Sequence, residues 1–166
     1  MKRWIVIGWL LAIGVAVAGI VGREHVISTG DVVYLRLAPV DPRSLMQGDY
    51  MALNFAIGLE VAAAHGQEET KLRREEVVVI RRDANNEGHF VRLHKGEALA
   101  AGEQLLRVQN VPSRWGRSMV QVSTDAWFFQ EGKADRFAKA KFGEFRVDAS
   151  GQALLVGMRD ERLGAM

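Results

Sequence analysis

Hydrophobic and polar positions divide the chain into two unequal parts. Residues 4–22 form an uncharged apolar run, preceded by Lys2 and Arg3 and closed by Arg23 and Glu24. As an α-helix those residues span about 28 Å, close to the roughly 30 Å hydrocarbon thickness of a bilayer. Trp4 and Trp9 lie toward the starting end, where indole rings favour the interface. A soluble core helix carries a polar face, and this run has none. It reads as a transmembrane anchor, with residues 1–3 cytoplasmic by the positive-inside rule and residues 23–166 forming one extracytoplasmic domain. Gly8, Ala12, Ala16 and Gly19 fall at the spacing of a helix-contact stripe, a spacing that the ordinary Gly and Ala content of such helices also produces. Ala16-Val17-Ala18 offers a small-x-small cleavage site; continuation of the apolar run through Gly22 favours retention over cleavage after Ala18.

Beyond Arg23 the pattern changes to short alternating runs separated by turn residues. Residues 32–37 read as a strand ending at Pro39, and 38–48 as a loop restricted by Pro39 and Pro42. An apolar run resumes over 50–61, with Gly58 as a bulge position. Residues 77–80 form a β-branched strand, 83–88 a turn, and 89–93 the returning arm of a hairpin. Strands follow over 104–111 and 119–129, with a loop at 112–117 between them. In 127–129, Trp127 and Phe129 share one face and Phe128 takes the other, which predicts a core strand buried on both sides. Residues 133–141 have helical spacing and Gly143 stands as its stop. Residues 145–147 and 153–158 form a last hairpin across 148–151. About eight short strands at this spacing predict a mainly β sandwich or barrel-like domain with one short helix behind the anchor.

Composition narrows the function. The chain has 22 Lys and Arg against 20 Asp and Glu. Lys2 and Arg3 precede the apolar run, so the remainder of the chain is electrically balanced. Nucleic-acid binding relies on clustered cations, and the mixed stretch 71–76 (KLRREE) cancels itself, so no nucleic-acid partner is expected. The absence of cysteine excludes disulfides, thiolate catalysis and Cys-ligated metal sites.

One segment is specific enough to carry a resemblance. Gly48-Asp49-Tyr50-Met51-Ala52-Leu53-Asn54-Phe55 resembles the signature of the GDYXXLXY family, with Gly48, Asp49, Tyr50, Leu53 and Phe55 on its defining positions. The upstream Pro39-Val40-Asp41-Pro42-Arg43 is similar to the family's entry loop. Glu131, Gly132, Phe142, Gly143 and Arg146 lie in stretches similar to its second block, and residues 151–160 fit as well. Phe55 and Phe142 replace tyrosines of the pattern, so no proton transfer can rest on either. The resemblance implies a membrane-associated protein with no assigned chemistry, from a family whose members are similar to products encoded beside multi-span membrane proteins. Read from the residues alone, Gly48 permits a turn, Asp49 can accept loop N–H groups, and Met51, Leu53 and Phe55 share a core-facing side opposite Tyr50 and Ala52. The block is then either a loop-to-strand junction or an exposed docking surface made by Asp41, Arg43, Asp49 and Tyr50.

Catalytic patterns fare less well. Ser44 shortly before Gly48-Asp49 is loosely similar to membrane-bound signal peptidases, which pair a serine with a lysine base. The spacing is too short, the expected lysine strand leads into Arg81-Arg82, and Lys71 and Lys95 lack the context. His25, His65, His89 and His94 are unpatterned; the last two point to opposite faces of a predicted strand, so no metal site is expected. Gly96 and Gly102 do not make a phosphate loop, and no cofactor is expected. Trp115, between Arg114 and Arg117, is a candidate for partner or membrane-surface contact. The expected function is therefore a non-catalytic interaction module, anchored in the inner membrane through 4–22, for a multi-span membrane or envelope protein. A diverged serine hydrolase and a small-molecule sensor domain are the alternatives.

Overall fold

The structure, a computed structural model, describes residues 2–38, 46–47, 50–65, 74–111 and 119–166. Helix α1 (Lys2–Thr29) is unbroken over 28 residues and holds a 24-residue stretch, Val6–Thr29, apolar and long enough to cross a bilayer. Its described side chains along the apolar run are exposed. The helix continues beyond Gly22 through Arg23, Glu24 and His25, so the sequence-based boundary at 22/23 falls inside it.

Strand predominates, with 40% of the described residues against 29% helical, α1 included. Among the described residues the strands form three sheets. β1 (Asp31–Arg36), β9 (Phe142–Val147) and β10 (Ala153–Arg159) are ordered β1-β9-β10, all antiparallel. β5 (Gly88–Leu93), β4 (Glu75–Arg82), β6 (Glu103–Val111) and β7 (Met119–Gln121) form a second sheet in that order. The third, small sheet is β2 (Met46–Gln47), β3 (Tyr50–Ala52) and β8 (Ala126–Phe128). Backbone contacts link them: Tyr34 N–H donates to Asn86 O at 2.8 Å, and Leu37 bridges Phe55. The result is a curled half-barrel, the mainly β class that the alternating runs predict.

Strand alternation builds the core. On β6, Leu106 and Val108 point inward between exposed Arg107 and Gln109. β4 is central in its sheet, and three successive residues, Val78, Val79 and Ile80, are fully buried. Val33, Leu35, Phe145, Val147 and Met158 complete the layer. Both predicted hairpins are present, β4–β5 across 83–87 and β9–β10 across 148–152.

Three expectations are corrected. The apolar run 50–61 is strand only over Tyr50–Ala52; helix α2 (Ala56–His65) follows, with Gly58 inside it and not in a bulge. α2 lays Ile57, Gly58 and Val61 against the sheets, and a Cβ at Gly58 would meet Val120 O at 2.5 Å. The run 119–129 is two strands of different sheets, β7 and β8, because the chain turns at Ser123 with φ of 61°. The predicted helix 133–141 shortens to α3 (Ala134–Phe137), and Gly143 lies within β9 instead of stopping a helix.

Candidate interaction surface

The described part of the motif splits between two faces of β3. Met51, Leu53 and Phe55 are buried, as alternation requires. Phe55 meets Phe145 edge-on at 5.1 Å between ring centroids, and its ring edge lies over Gly143. The first and second family blocks therefore join in the core, and Leu53, Phe55 and Gly143 are packing residues. Phe142 is also buried; the Arg36 guanidinium sits 4.5 Å from its ring centroid while binding both carboxylate oxygens of Glu87. Arg146 donates to the Gly30 carbonyl at 3.3 Å. Glu131 and Gly132 form the exposed turn before α3, where Gly132 has φ of +81°.

Tyr50 faces the other way. It stands opposite Phe128 across the β3–β8 pair, with ring centroids 5.9 Å apart, and Ala52 beside it is exposed. Phe128 is 74% exposed, which corrects the expectation of a strand buried on both faces. Trp127 and Phe129 do pack inward, around Phe137 of α3 at 6.3 and 5.1 Å. Alternation assigns the two faces of β8 correctly, but only position in the sheet decides that one of them meets water. Among the candidate surface residues, Asp41, Arg43, Asp49 and Trp115 lie outside the described residues, as do the motif's Gly48 and the weighed Ser44 and Lys71. Tyr50 is the one the structure describes.

Four of the described groups weighed for catalysis or metal binding, Arg81, Arg82, His89 and His94, lie beside carboxylates. Arg81 pairs with Glu103 at 3.2 Å and Arg82 with Asp31 at 3.4 Å. His89 lies 3.7 Å from Asp83 and His94 3.8 Å from Glu97, so these two histidines serve different carboxylates. Asp83, Glu87 and His89 come within 4.8 Å of one another. Asp83 Oδ1 there accepts the Asn85 and Glu87 N–H groups, and Glu87 is taken by Arg36. A cleft of about 540 Å³ is lined by Glu75, Glu76, Val77, Leu93, His94 and Lys95.

An apolar helix of membrane-spanning length followed by a curled, mainly β domain defines the class: a candidate single-pass membrane protein with one small β domain. Within it, the family model described as GDYXXLXY protein matches residues 12–158, and the chain belongs to the GDYXXLXY family. No curated protein and no solved structure matches it.

Proposed function

We propose that the chain is a non-catalytic interaction module, held on the outer side of the cytoplasmic membrane by residues 4–22, that binds other membrane or envelope proteins. The observation that supports this reading is the aromatic pair that Tyr50 of the motif strand makes with Phe128 of the neighbouring β8. One face of Tyr50–Phe55 is committed to the core, while the other sets Tyr50 against a phenyl ring left 74% in water. A large exposed aromatic contributes little to a monomer's fold, and aromatic side chains anchor protein interfaces. Asp41, Arg43, Asp49 and Trp115 complete the proposed surface. Lys2 and Arg3 support the outward orientation of the domain. The test is photocrosslinking in intact cells from a benzoyl-phenylalanine at position 128, with one at exposed Lys139 as comparison. A discrete adduct from 128 alone, lost in Tyr50→Ser, is expected. Equal labelling from both sites removes the reading.

The sensor alternative draws support from the cleft bordered by Glu75, Glu76, His94 and Lys95, whose mixed charge suits a small polar ligand. Lys95→Glu leaving partner capture unchanged, with no metabolite shifting the melting of the full chain, counts against it.

A further inference from the structure

We propose that α1 is a rigid stalk whose last turns are built into the β domain, so that the membrane-spanning segment and the domain turn as one body. This goes beyond the binding reading and does not depend on it. Burial changes sharply along the helix: Ile20 and Val21 are 68% and 60% exposed, whereas Val26 is 3% exposed where α1 meets β9 and β10. Thr29 ends the helix and Asp31 already pairs with Val147, so Gly30 alone separates α1 from β1. Flexible tethers need several Gly- or Ser-rich residues, and one residue leaves no slack.

Gly30 is itself held on three sides. Its N–H donates to Val26 O at 2.9 Å, its carbonyl accepts from Arg146, and a Cβ there would run into Val26 O and lie 3.1 Å from Val147 N. The hydroxyls of Ser28 and Thr29 donate within the helix to the carbonyls of Glu24 and His25 at 2.8 and 2.7 Å, so neither tethers the helix to the domain and the docking rests on Val26 and Gly30. These contacts fix the azimuth of the domain about the helix axis, and hence the direction in which each of its faces looks along the bilayer.

The test uses the full chain in phosphatidylethanolamine–phosphatidylglycerol vesicles. Because the sequence has no cysteine, Ile20→Cys and Lys139→Cys accept spin labels cleanly, and electron–electron resonance reads the distance between them. A single narrow distribution is expected. Inserting Gly-Ser-Gly-Ser between Gly22 and Arg23 leaves every docking contact in place and is expected to widen the distribution roughly two-fold or more. Inserting four alanines at the same point extends the helix by about 6 Å and should shift the peak while keeping it narrow. A native distribution as broad as that of the Gly-Ser variant overturns the stalk, and so does a broad distribution from the alanine variant.

Discussion

A Cβ at position 143 would lie 2.8 Å from Phe55 Cε1 and 2.9 Å from both Leu155 Cδ1 and Phe145 Cε2. All three atoms belong to a packed core, so Gly143→Ala is expected to destabilise the chain by about 1–3 kcal/mol through overpacking. Chemical denaturation in detergent measures it, and an unchanged midpoint would show that the two family blocks do not meet in the core. A second residue-scale device recurs at three turns. Asp83, Asp148 and Asp160 each accept the N–H groups two and four residues on through Oδ1. Each loop also places its fourth residue at positive φ: Asn86 at 61°, Gly151 at 84° and Leu163 at 60°. The hydrogen bond from the Glu87 N–H, with further help from Asn85 and His89, holds the Asp83 carboxyl below its ordinary value despite some burial. Asn tolerates the left-handed region and β-branched residues do not, so Asn86→Val should cost about 1–2 kcal/mol by the same assay. Asn86→Gly should be close to neutral. The Asp-rich turns at 83 and 148 are legible in the sequence because this chemistry is local. The loop at 160 is less so, since Leu163 is no turn former.

The sequence reveals β1 and β6 by alternation about one buried face, and the two hairpins by the Asp-led turns between apolar runs. α2 hides because it is apolar nearly all round, from Ala56 and Ile57 to Ala62 and Ala63, so no polar face sets a 3.6-residue period and Ile57 and Val61 suggest strand. β7 and β8 read as one strand because no Gly or Pro separates their apolar residues; Ser123-Thr124-Asp125 is a short polar interruption, and tertiary pairing makes the break there, with Leu53 N–H donating to Asp125 O. The candidate surface is legible only in part: alternation sends Tyr50 away from the core, but the exposure of Phe128 depends on what the third sheet leaves uncovered. Between elements, Glu103 ties β4, β5 and β6 together. Its carboxylate accepts from Arg92 at 2.8 Å, from Ala100 N–H at 3.0 Å and from Arg81 at 3.2 Å. These bonds, Arg92's foremost, hold it at about 2 against an ordinary value of 4.5. A depressed carboxyl stabilises the fold above its unfolded value and loses that contribution as pH falls toward the folded one. The stability gap between the native chain and Glu103→Gln should therefore be full at pH 7, shrink below about pH 4.5 and close near pH 2. A gap that is flat across that range would show that Glu103 is not the proton-linked tie.

At the scale of the whole molecule, charge and hydropathy separate cleanly. Lys2 and Arg3 stand alone on the N-terminal side of α1, whereas Arg23 and Glu24 cancel on the other. With a balanced domain behind it, the proposed orientation of the chain rests on Lys2 and Arg3. Alkaline phosphatase fused after Met166 is accordingly expected to be active in cells, and a fusion carrying Lys2→Glu and Arg3→Glu to lose much of that activity while melting like the parent in detergent. A fusion inactive from the start would put the domain in the cytoplasm, and a double variant of full activity would show that the domain, not the flanking charge, decides its side. The same fusions separate anchor from leader, since material beginning at Gly19 would mark cleavage after Ala18. Such cleavage would still leave Val26 and Gly30 in place, because the part of α1 that packs on β9 and β10 begins well beyond that point. On the proposed reading, orientation and folding belong to separate ends of one helix, the charged start choosing the side of the membrane and the docked end holding the domain.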